Sequence, residues 1–287
     1  MSPAAAARQS GTRVRLDQLL VDRGLVASRS RAQAFLLAGR VRVGDGDAAR
    51  RDRKPGDLVD PGIALDVEAQ DPYVSRGGHK LVAALEAFGL SPSGLVCLDA
   101  GASTGGFTDV LLQRGATRVY AVDVGRGQLA ESLRADARVI SMERTNARSL
   151  TAASLPEPVA FATADVSFIS LGLVLGPMAA IFGEAGGPIV ALVKPQFEAG
   201  RGQVPGGVVR DPAVHLAVLE RVSGMAADLG LQPVDVVPSP ILGPEGNREF
   251  LLHLRVPAGW RAAGSPRPAV PPAGFAERLV LVAGVEA

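Results

Sequence analysis

Lysine is rare in this chain, and its few positions give the first indication of chemistry. Of 30 lysines and arginines in the 287 residues, only Lys54, Lys80 and Lys194 are lysines. Arginine serves wherever a general positive charge suffices, so the remaining lysines indicate positions that need an amine. An ammonium group can lose its proton when it is buried or close to another cation, and can then act as a base. Lys194 and Asp165 each end an apolar run, which predicts an amine beside a carboxylate; a solvated lysine at a strand end is the alternative.

A glycine-rich turn is the second chemical feature. Gly101-Ala-Ser-Thr-Gly-Gly106 stands between an apolar run at 95–98, typical of a buried strand, and a segment from Phe107 with helical spacing of apolar residues. Glycines let the backbone approach a ligand, and the helix offers free N–H groups. Asp123 ends the next apolar run about 20 residues on, where nucleoside-binding sheets place the carboxylate that accepts ribose hydroxyls. The pattern predicts a nucleoside cofactor; a tight turn that binds nothing is the alternative.

The glycine spacing narrows the class of cofactor. It departs from the dinucleotide fingerprint and lacks the Gly-Lys-Ser/Thr of a P-loop, which argues against NAD and ATP. The remaining possibility is the looser strand–glycine–helix opening of S-adenosylmethionine-dependent methyltransferases. In that interpretation Asp99 lies near the amino-acid end of the cofactor and Asp123 on its ribose.

The elements that must position these residues alternate between strands and helices. The predicted strands are the apolar runs at 95–98, 118–123, 138–142, 159–165, 188–194, 234–237 and 250–256. This alternation predicts an α/β fold with a doubly wound, mostly parallel, Rossmann-like sheet. Asp99, Asp123, Asp165 and Lys194 then stand at the C-terminal ends of their strands, which is the ligand edge of such a sheet.

The N-terminal region is basic although the whole chain has a net charge of only +1. Residues 1–54 contain twelve Arg/Lys against five acidic residues, a net charge of +7 that indicates a polyanion-binding end. Two short helices, the second capped by Ser28, and strands near 39–43 and 54–59 predict a small α+β domain. Aromatic residues make up only 4% of the chain, so contacts with phosphates are expected to dominate over base stacking. A solvated basic surface is the alternative.

The order of these N-terminal motifs resembles the αL-type RNA-binding domain found in a ribosomal protein, pseudouridine synthases and tyrosyl-tRNA synthetases. The similar segments are Arg15-Leu-Asp-Gln-Leu-Leu, Gly24-Leu-Val-Ala-Ser-Arg-Ser-Arg and Gly39-Arg-Val-Arg-Val-Gly. The resemblance covers roughly residues 14–70. It implies RNA contacts by Arg15, Arg29, Arg31, Arg40 and Arg42.

Five further motifs resemble, in order, those of the TlyA family of ribosomal RNA cytidine 2′-O-methyltransferases, historically also labelled haemolysins. They are Ser75-Arg-Gly-Gly-His-Lys80, Leu98-Asp-Ala-Gly-Ala-Ser-Thr-Gly-Gly-Phe-Thr-Asp109, Asp165-Val-Ser-Phe-Ile-Ser170, Leu192-Val-Lys-Pro-Gln-Phe-Glu198 and Gly243-Pro-Glu-Gly-Asn-Arg-Glu249. Members of this family join the αL-type domain to an FtsJ-like methyltransferase domain. The resemblance therefore implies S-adenosyl-L-methionine as cofactor and ribosomal RNA, within ribosomal subunits, as partner.

The same resemblance implies which residues form the site. The family's Lys-Asp-Lys-Glu tetrad falls on Lys80, Asp165, Lys194 and Glu249, with Glu245 as a rival for the last position. The expected cofactor-binding residues are Asp99, Gly101, Ser103, Thr104, Gly105, Gly106, Asp123 and Asn146.

A ribose hydroxyl is a poor nucleophile, so the implied reaction needs a base near the 2′-oxygen. We hypothesise that Lys194, beside the Lys80 cation, accepts the hydroxyl proton while Asp165 and Glu249 orient the two lysines. Methyltransferases of amino groups carry Asp/Asn-Pro-Pro-Tyr/Phe where this chain has Asp165-Val-Ser-Phe168. Methylation of a base amino group is therefore disfavoured.

Composition bounds the remaining possibilities. A chain with 47% hydrophobic residues can bury a large core. The single cysteine, Cys97, excludes an internal disulfide, and three scattered histidines give no metal-ligand spacing, so no metal is expected. The uncharged segment 166–183 is interrupted by glycines and a proline and is expected to be a strand end, a turn and a core helix rather than a membrane span. With no secretory leader recognised, a cytoplasmic protein is expected.

These patterns predict five regions: a disordered N-terminus (1–12), an RNA-binding domain (13–70), a linker (71–75), a methyltransferase domain (76–257) and a Pro-rich mobile tail (258–287). Two alternative functions stay open, a membrane-lytic protein and an RNA-binding protein whose methyltransferase half is inactive.

Overall fold

The computed structural model describes residues 12–68, 71–260 and 268–285. The chain divides into two compact units at the boundary between Gln70 and Asp71. The predicted disordered N-terminus, apart from Thr12, lies outside the described residues.

The N-terminal unit is a small α+β domain. Its elements are β1 (Val14–Arg15), α1 (Leu16–Asp22), α2 (Arg29–Leu37), β2 (Val41–Val43), β3 (Leu58–Val59) and β4 (Leu65–Val67). β1 pairs with β3 and β2 with β4, both antiparallel. Ser28 caps α2 as predicted, because its hydroxyl accepts a hydrogen bond from the backbone N–H of Arg31 at 3.3 Å. The apolar faces of α1 and α2 meet over a core that includes Leu16, Leu20 and Leu36.

The C-terminal unit contains a seven-stranded sheet flanked by helices. Its strands are β5 (Val96–Ala100), β6 (Arg118–Val122), β7 (Val139–Met142), β8 (Phe161–Ala164), β9 (Gly187–Val193), β10 (Gln232–Pro238) and β11 (Phe250–Val256). Its helices are α3 (Gly77–Phe88), α4 (Gly106–Gln113), α5 (Glu131–Arg134), α6 (Gly172–Ala179), α7 (Pro195–Glu198), α8 (Pro212–Asp228) and α9 (Phe275–Ala283).

The strand order is β10-β11-β9-β8-β5-β6-β7. β5 to β9 run parallel, whereas β11 is antiparallel to both of its neighbours. The predicted α/β class and the mostly parallel, doubly wound sheet are confirmed. Because β11 runs in the opposite direction, its first residue, Phe250, pairs with Val193 at the end of β9. The start of β11 therefore lies at the same edge as the ends of the parallel strands.

The sheet is buried on both faces because helices pack against each of them, and successive residues of a strand point to opposite sides. Leu98 and Ala100 of β5 pack into the core that contains residues of α6, α8 and α9, whereas Cys97 packs into the core that contains residues of α3 and α4. Cys97 is a buried filler, as expected. Of the described helices, none is long and apolar enough to cross a membrane.

Residues 71–75, predicted to be a linker, pack onto the C-terminal unit. The backbone N–H of Val74 donates to Oδ2 of Asp109 at 2.8 Å. The ring of Tyr73 lies so close to Gly78 that a Cβ there would approach its Cγ to 2.5 Å.

Where the structure describes the predicted Pro-rich mobile tail, it contains a packed helix. α9 buries Phe275, Leu279, Val282 and Ala283 against the sheet domain. The apolar run at 278–282, part of the predicted tail, belongs to this helix, whose partners α8 and β10 lie elsewhere in the chain. Residues 261–267, 286 and 287 of the predicted tail lie outside the described residues.

Candidate active site

The four residues expected to form the catalytic tetrad line one cleft of about 310 Å³ at the ligand edge of the sheet. Asp165 directly follows β8 and Lys194 directly follows β9. Glu249 directly precedes β11, and the antiparallel direction of that strand brings it to the same edge. Lys80 comes from the first turn of α3. The structure therefore brings together all four residues from four separate elements.

The tetrad forms two lysine–carboxylate pairs. Nζ of Lys80 lies 2.5 Å from Oε2 of Glu249, and Nζ of Lys194 lies 2.6 Å from Oδ1 of Asp165. Glu249 is completely buried, and the side chains of both lysines are about nine-tenths buried. Short ion pairs in such surroundings fix the positions of the ammonium groups. Among the described residues, the buried Oε1 of Glu249 has no hydrogen-bond partner, so this residue of the cleft lining keeps one unused acceptor.

Glu249, and not its rival Glu245, pairs with a lysine in the structure. Glu245 is exposed, has a left-handed backbone with φ of 63°, and is not among the residues that line the cleft. Oε1 of Glu249 packs against Gly243, where an added Cβ would approach it to 2.2 Å. The glycine in Gly243-Pro-Glu-Gly-Asn-Arg-Glu249 thus makes room for the buried carboxylate.

The glycine loop between β5 and α4 approaches the tetrad closely. Gly101 has φ of 83°, and a Cβ at this position would lie 2.4 Å from the backbone oxygen of Asp165. At Gly106 a Cβ would lie 2.2 Å from Oγ of Ser75, just before α3. Both glycines are therefore required for the loop to pass between β8 and the start of α3. Ser103 and Thr104, at the exposed tip, line the same cleft, and Gly105 packs against Leu133.

A second cleft of about 330 Å³ adjoins the first and shares Gly101, Ser103, Asp165 and Ser167 with it. Asp123 and Asn146, both predicted to bind cofactor, line this second cleft. The shared lining makes the two clefts neighbouring halves of one site, with the tetrad on one side and Asp123 on the other.

Asp123 is held by backbone N–H groups. Its Oδ2 accepts from Ser103 at 2.8 Å and its Oδ1 from Gly125 at 2.7 Å. The carboxylate joins the glycine loop to the turn after β6 and lines the second cleft. Oδ1 of Asn146 accepts from the backbone N–H of Arg148 at 3.0 Å, which leaves the amide NH₂ of Asn146 for a ligand. These donors and acceptors fit the hydroxyl and base edges of a nucleoside.

Asp99, predicted to lie near the amino-acid end of the cofactor, is placed by the structure behind the surface of the clefts. Asp99 is completely buried and lines neither cleft. Its carboxylate accepts hydrogen bonds from the hydroxyls of Thr108 at 2.7 Å and Thr163 at 2.9 Å. Burial raises the pKa of the Asp99 carboxyl from its ordinary 3.8 to about 6, against the opposing effect of both threonines. Asp99 therefore joins β5 to α4 and β8 beneath the glycine loop.

Sequence reasoning missed Ser167 and Phe168 as site residues. Oγ of Ser167 accepts a hydrogen bond from Nζ of Lys194 at 2.7 Å. Phe168 is 86% exposed, has a left-handed φ of 65°, and its ring lies 4.9 Å from that of Phe197. Both missed residues lie in the motif Asp165-Val-Ser-Phe168, which was interpreted as part of the family resemblance and as evidence against amino-group methylation, without a role for either side chain. The two-residue spacing between Asp165 and Ser167 could have indicated a second partner for the same lysine.

The five arginines expected to contact RNA all belong to the N-terminal unit, on or beside α1, α2 and β2. Arg15 and Arg29 both donate to the buried Asp17. The guanidinium groups of Arg31 and Arg40 lie 5.9 and 5.0 Å from the centre of the Phe35 ring. Arg42 donates to the backbone oxygen of Gly46 at 2.8 Å. The described part of the chain contains no cluster of three or more His, Cys, Asp or Glu that could hold a metal ion.

Comparisons with known proteins agree with this organisation. The family model described as FtsJ-like methyltransferase matches residues 73–256, and the S4 domain model matches residues 14–46. The chain is 51% identical over 246 residues to the 16S/23S rRNA (cytidine-2′-O)-methyltransferase TlyA of Mycobacterium tuberculosis, covering 85% of this chain and 90% of that protein. It is 40% identical to Hemolysin A of Brachyspira hyodysenteriae, covering 84% of this chain and 99% of that protein. A solved structure of a hemolysin from Streptococcus thermophilus superposes with a TM-score of 0.68 at 43% identity, covering 94% of this chain and 96% of that one.

Proposed function

The chain belongs to the FtsJ-like methyltransferase family, in the branch of TlyA proteins that also carry an S4 domain, and from this we propose its activity. It is a ribosomal RNA (cytidine-2′-O)-methyltransferase that transfers a methyl group from S-adenosyl-L-methionine to a ribose 2′-hydroxyl. The observation that carries this proposal is the pair of lysine–carboxylate contacts, Lys80–Glu249 and Lys194–Asp165, lining one cleft beside the glycine loop.

The cofactor half of the site is the cleft lined by Asp123 and Asn146, together with the glycine loop and the exposed Ser103 and Thr104. Asp123 accepts hydrogen bonds from the ribose hydroxyls of the cofactor, and Asn146 offers its amide to the adenine end. S-adenosylmethionine supplies an electrophilic methyl group when bound. Gly101 and Gly106 let the loop pass close to Asp165 and Ser75, because a Cβ at either position would clash with these residues.

The acceptor half of the site is the cleft lined by the tetrad. Lys194 accepts the proton of the ribose hydroxyl at Nζ, while Asp165 and Ser167 hold that nitrogen in place. Lys80, held by Glu249, contributes a positive charge to the same cleft. The orientation of the hydroxyl supplies more of the acceleration than the proton transfer, since general-base contributions are about 10²–10⁴-fold and positioning contributes more.

The N-terminal unit supplies affinity for the substrate. Arg15, Arg29, Arg31, Arg40 and Arg42 contact phosphates of ribosomal RNA within a ribosomal subunit, and the reaction takes place in the cytoplasm. Guanidinium groups suit this role because they bind phosphate oxygens in a bidentate manner.

The test is methyl transfer from tritiated S-adenosylmethionine to 30S and 50S subunits purified from a host lacking the enzyme. We expect label in ribosomal RNA, recovered after digestion as 2′-O-methylcytidine. A Lys194→Met variant that still binds cofactor serves as control and should give no product. Label in a base, or no label with either subunit, would overturn the proposal. A chain lacking residues 1–70 should bind cofactor as the full chain does and methylate the subunits poorly.

Two similar proteins carry hemolysin in their names, so membrane lysis is the alternative to methyltransferase activity. Leakage of dye from liposomes by the pure protein, in the absence of cofactor, would support it. An RNA-binding protein with an inactive methyltransferase half is disfavoured by the intact tetrad contacts and glycine loop. The assay with labelled cofactor separates both alternatives from the proposed activity.

A further inference from the structure

Asp17 in the N-terminal unit is a completely buried carboxylate with four hydrogen-bond donors. Arg15 donates from Nε to Oδ1 at 3.0 Å and from Nη2 to Oδ2 at 2.9 Å. Arg29 donates from Nε at 3.0 Å and Gln33 from Nε2 at 3.0 Å, both to Oδ2. The Arg15 guanidinium holds the pKa of the Asp17 carboxyl well below its usual range, so this group is charged at neutral pH.

The partners of Asp17 distinguish it from a carboxylate that merely caps a helix. All four donors belong to side chains, and two of the three side chains are arginines. The backbone of Asp17 is tied independently, because its N–H donates to the backbone oxygen of Pro55 at 3.0 Å. Within the described residues, the Asp17 carboxylate therefore accepts hydrogen bonds from side chains and from no backbone N–H group. Its effect is to hold the side chains of Arg15, Arg29 and Gln33.

Each of the two arginines binds Asp17 with one part of its guanidinium group and exposes the rest of that group to solvent. Their side chains are 45% and 50% exposed although the carboxylate between them is inaccessible to solvent. Within the described residues, Nη1 of Arg15 and both Nη atoms of Arg29 donate no hydrogen bond to the protein. Arg15 and Arg29 therefore share Asp17 as an anchor, and each exposes a guanidinium edge to solvent. Together the two arginines and Asp17 carry a net charge of +1.

We propose that Asp17 is a positioning residue for RNA binding, which holds Arg15 and Arg29 as a preformed pair that contacts neighbouring phosphates. This inference rests on the proposed role of the N-terminal unit in binding ribosomal RNA. An arginine side chain carries about 2 kcal/mol of rotamer entropy, and an anchored guanidinium has already lost part of it before RNA arrives. Asp17 raises RNA affinity in this way although its own charge repels phosphates.

Electrostatics and positioning predict opposite effects of Asp17→Asn on RNA affinity, so this substitution in the full-length chain tests the proposal. Electrostatics alone predicts tighter RNA binding, because the substitution removes a negative charge beside the phosphate site. Positioning predicts the opposite, since the one acceptor oxygen of an amide takes at most two of the four hydrogen bonds and cannot hold both guanidinium groups in their present geometry. We expect affinity for purified 30S or 50S subunits, measured by co-sedimentation over a salt series, to fall about tenfold, with a shallower slope of log K against log salt.

Asp22→Asn is the matched control because it removes the same charge from the same helix. Asp22 is exposed, and its carboxylate accepts a hydrogen bond from Gln18 rather than from an arginine. We expect its affinity for the subunits to stay within twofold of the parent or to rise. Equal or tighter binding by folded Asp17→Asn would overturn the positioning role.

A second variant keeps the proposal testable if Asp17→Asn unfolds the N-terminal unit, which circular dichroism of the full chain would detect. Arg15→Lys keeps the charge at a half-exposed position but cannot make the bidentate contact. We expect it to lose RNA affinity comparably, and undiminished binding by Arg15→Lys would contradict the proposal. In an Arg15→Gln/Arg29→Gln background, Asp17→Asn should cause no further loss. If the parent itself fails to bind subunits, the proposed function fails; if the parent binds and these variants bind equally well, only the positioning role fails.

Discussion

Nζ of Lys194 lies 2.6 Å from Oδ1 of Asp165. The two residues follow adjacent parallel strands, β8 for Asp165 and β9 for Lys194, and both line the cleft of about 310 Å³. A third group, the hydroxyl of Ser167, lies 2.7 Å from the same nitrogen. The amine is therefore held by two partners.

Lys194→Arg should abolish methyl transfer while cofactor binding is retained. Arginine keeps the positive charge, so a lysine that acts only as an electrostatic anchor would tolerate the change within about tenfold. A proton acceptor would not, because a guanidinium stays protonated at any usable pH, and the expected loss is about 10²–10⁴-fold. Single-turnover transfer of labelled methyl groups measures this effect. Lys54→Arg, in the N-terminal unit, should be almost silent, and comparable activity of the two variants would leave Lys194 as a positioning residue.

Ser167→Ala should lower kcat with little change in KM for cofactor or RNA. The substitution removes one of the two partners that position the Lys194 nitrogen, and an ordinary hydrogen bond contributes about 0.5–1.5 kcal/mol, equivalent to roughly twofold to tenfold. Ser167→Thr keeps the hydroxyl and should restore most of the rate. Ser170→Ala is the matched control, because that hydroxyl donates to Glu198 at 2.9 Å instead. An unchanged kcat for Ser167→Ala would show that Asp165 alone positions the amine.

Asp123→Ala should weaken binding of S-adenosylmethionine by about 2–3 kcal/mol, because ribose hydroxyls in the second cleft lose their acceptor. The backbone N–H groups of Ser103 and Gly125 lose their partner as well. Isothermal titration calorimetry measures the change. Asp136→Ala, which removes a carboxylate paired only with Arg138 and its backbone, should bind cofactor as the parent does. Parent-like affinity of Asp123→Ala would contradict this assignment of the cofactor cleft.

Asp99→Asn should change the pH dependence of stability. Because the pKa of Asp99 is raised to about 6 in the folded protein, the folded state binds more protons than the unfolded state between roughly pH 4 and 6. The free energy of unfolding contributed by Asp99 is therefore present at low pH and falls as the pH rises through 6. Relative to the Tm of the parent, the Tm of Asp99→Asn should rise as the pH increases from 4.5 to 7. Differential scanning calorimetry measures both Tm values. A constant difference would refute the raised pKa.

Leu279→Ala should destabilise the C-terminal unit by about 2–5 kcal/mol, because it leaves a cavity where α9 packs against the sheet domain. Leu281→Ala is the matched control on the same helix, since Leu281 is 69% exposed, and should cost less than about 0.5 kcal/mol. Urea denaturation measures both. Equal stability of the two variants would mean that α9 does not belong to the core.

Local patterns determined much of this protein. Short apolar runs that each end in a polar residue predicted the strands, and their alternation with helical segments predicted the parallel sheet. A parallel arrangement places successive strand ends at one edge, so Asp123, Asp165 and Lys194 could be assigned to a single site before any distance was known. The rarity of lysine pointed to the amines for a chemical reason, and the order of the motifs indicated the family.

Only the tertiary structure decided which groups meet. Lys80 and Glu249 are 169 positions apart, and their contact depends on the antiparallel insertion of β11 beside β9, which no local pattern specifies. The same long-range packing buries Asp99 between two threonines, away from the ligand edge, and turns the apolar run near Leu279 into a core helix. Residue type and spacing therefore determined the elements and the candidate chemistry, whereas partners and burial followed from strand order, because both depend on segments far apart in the chain.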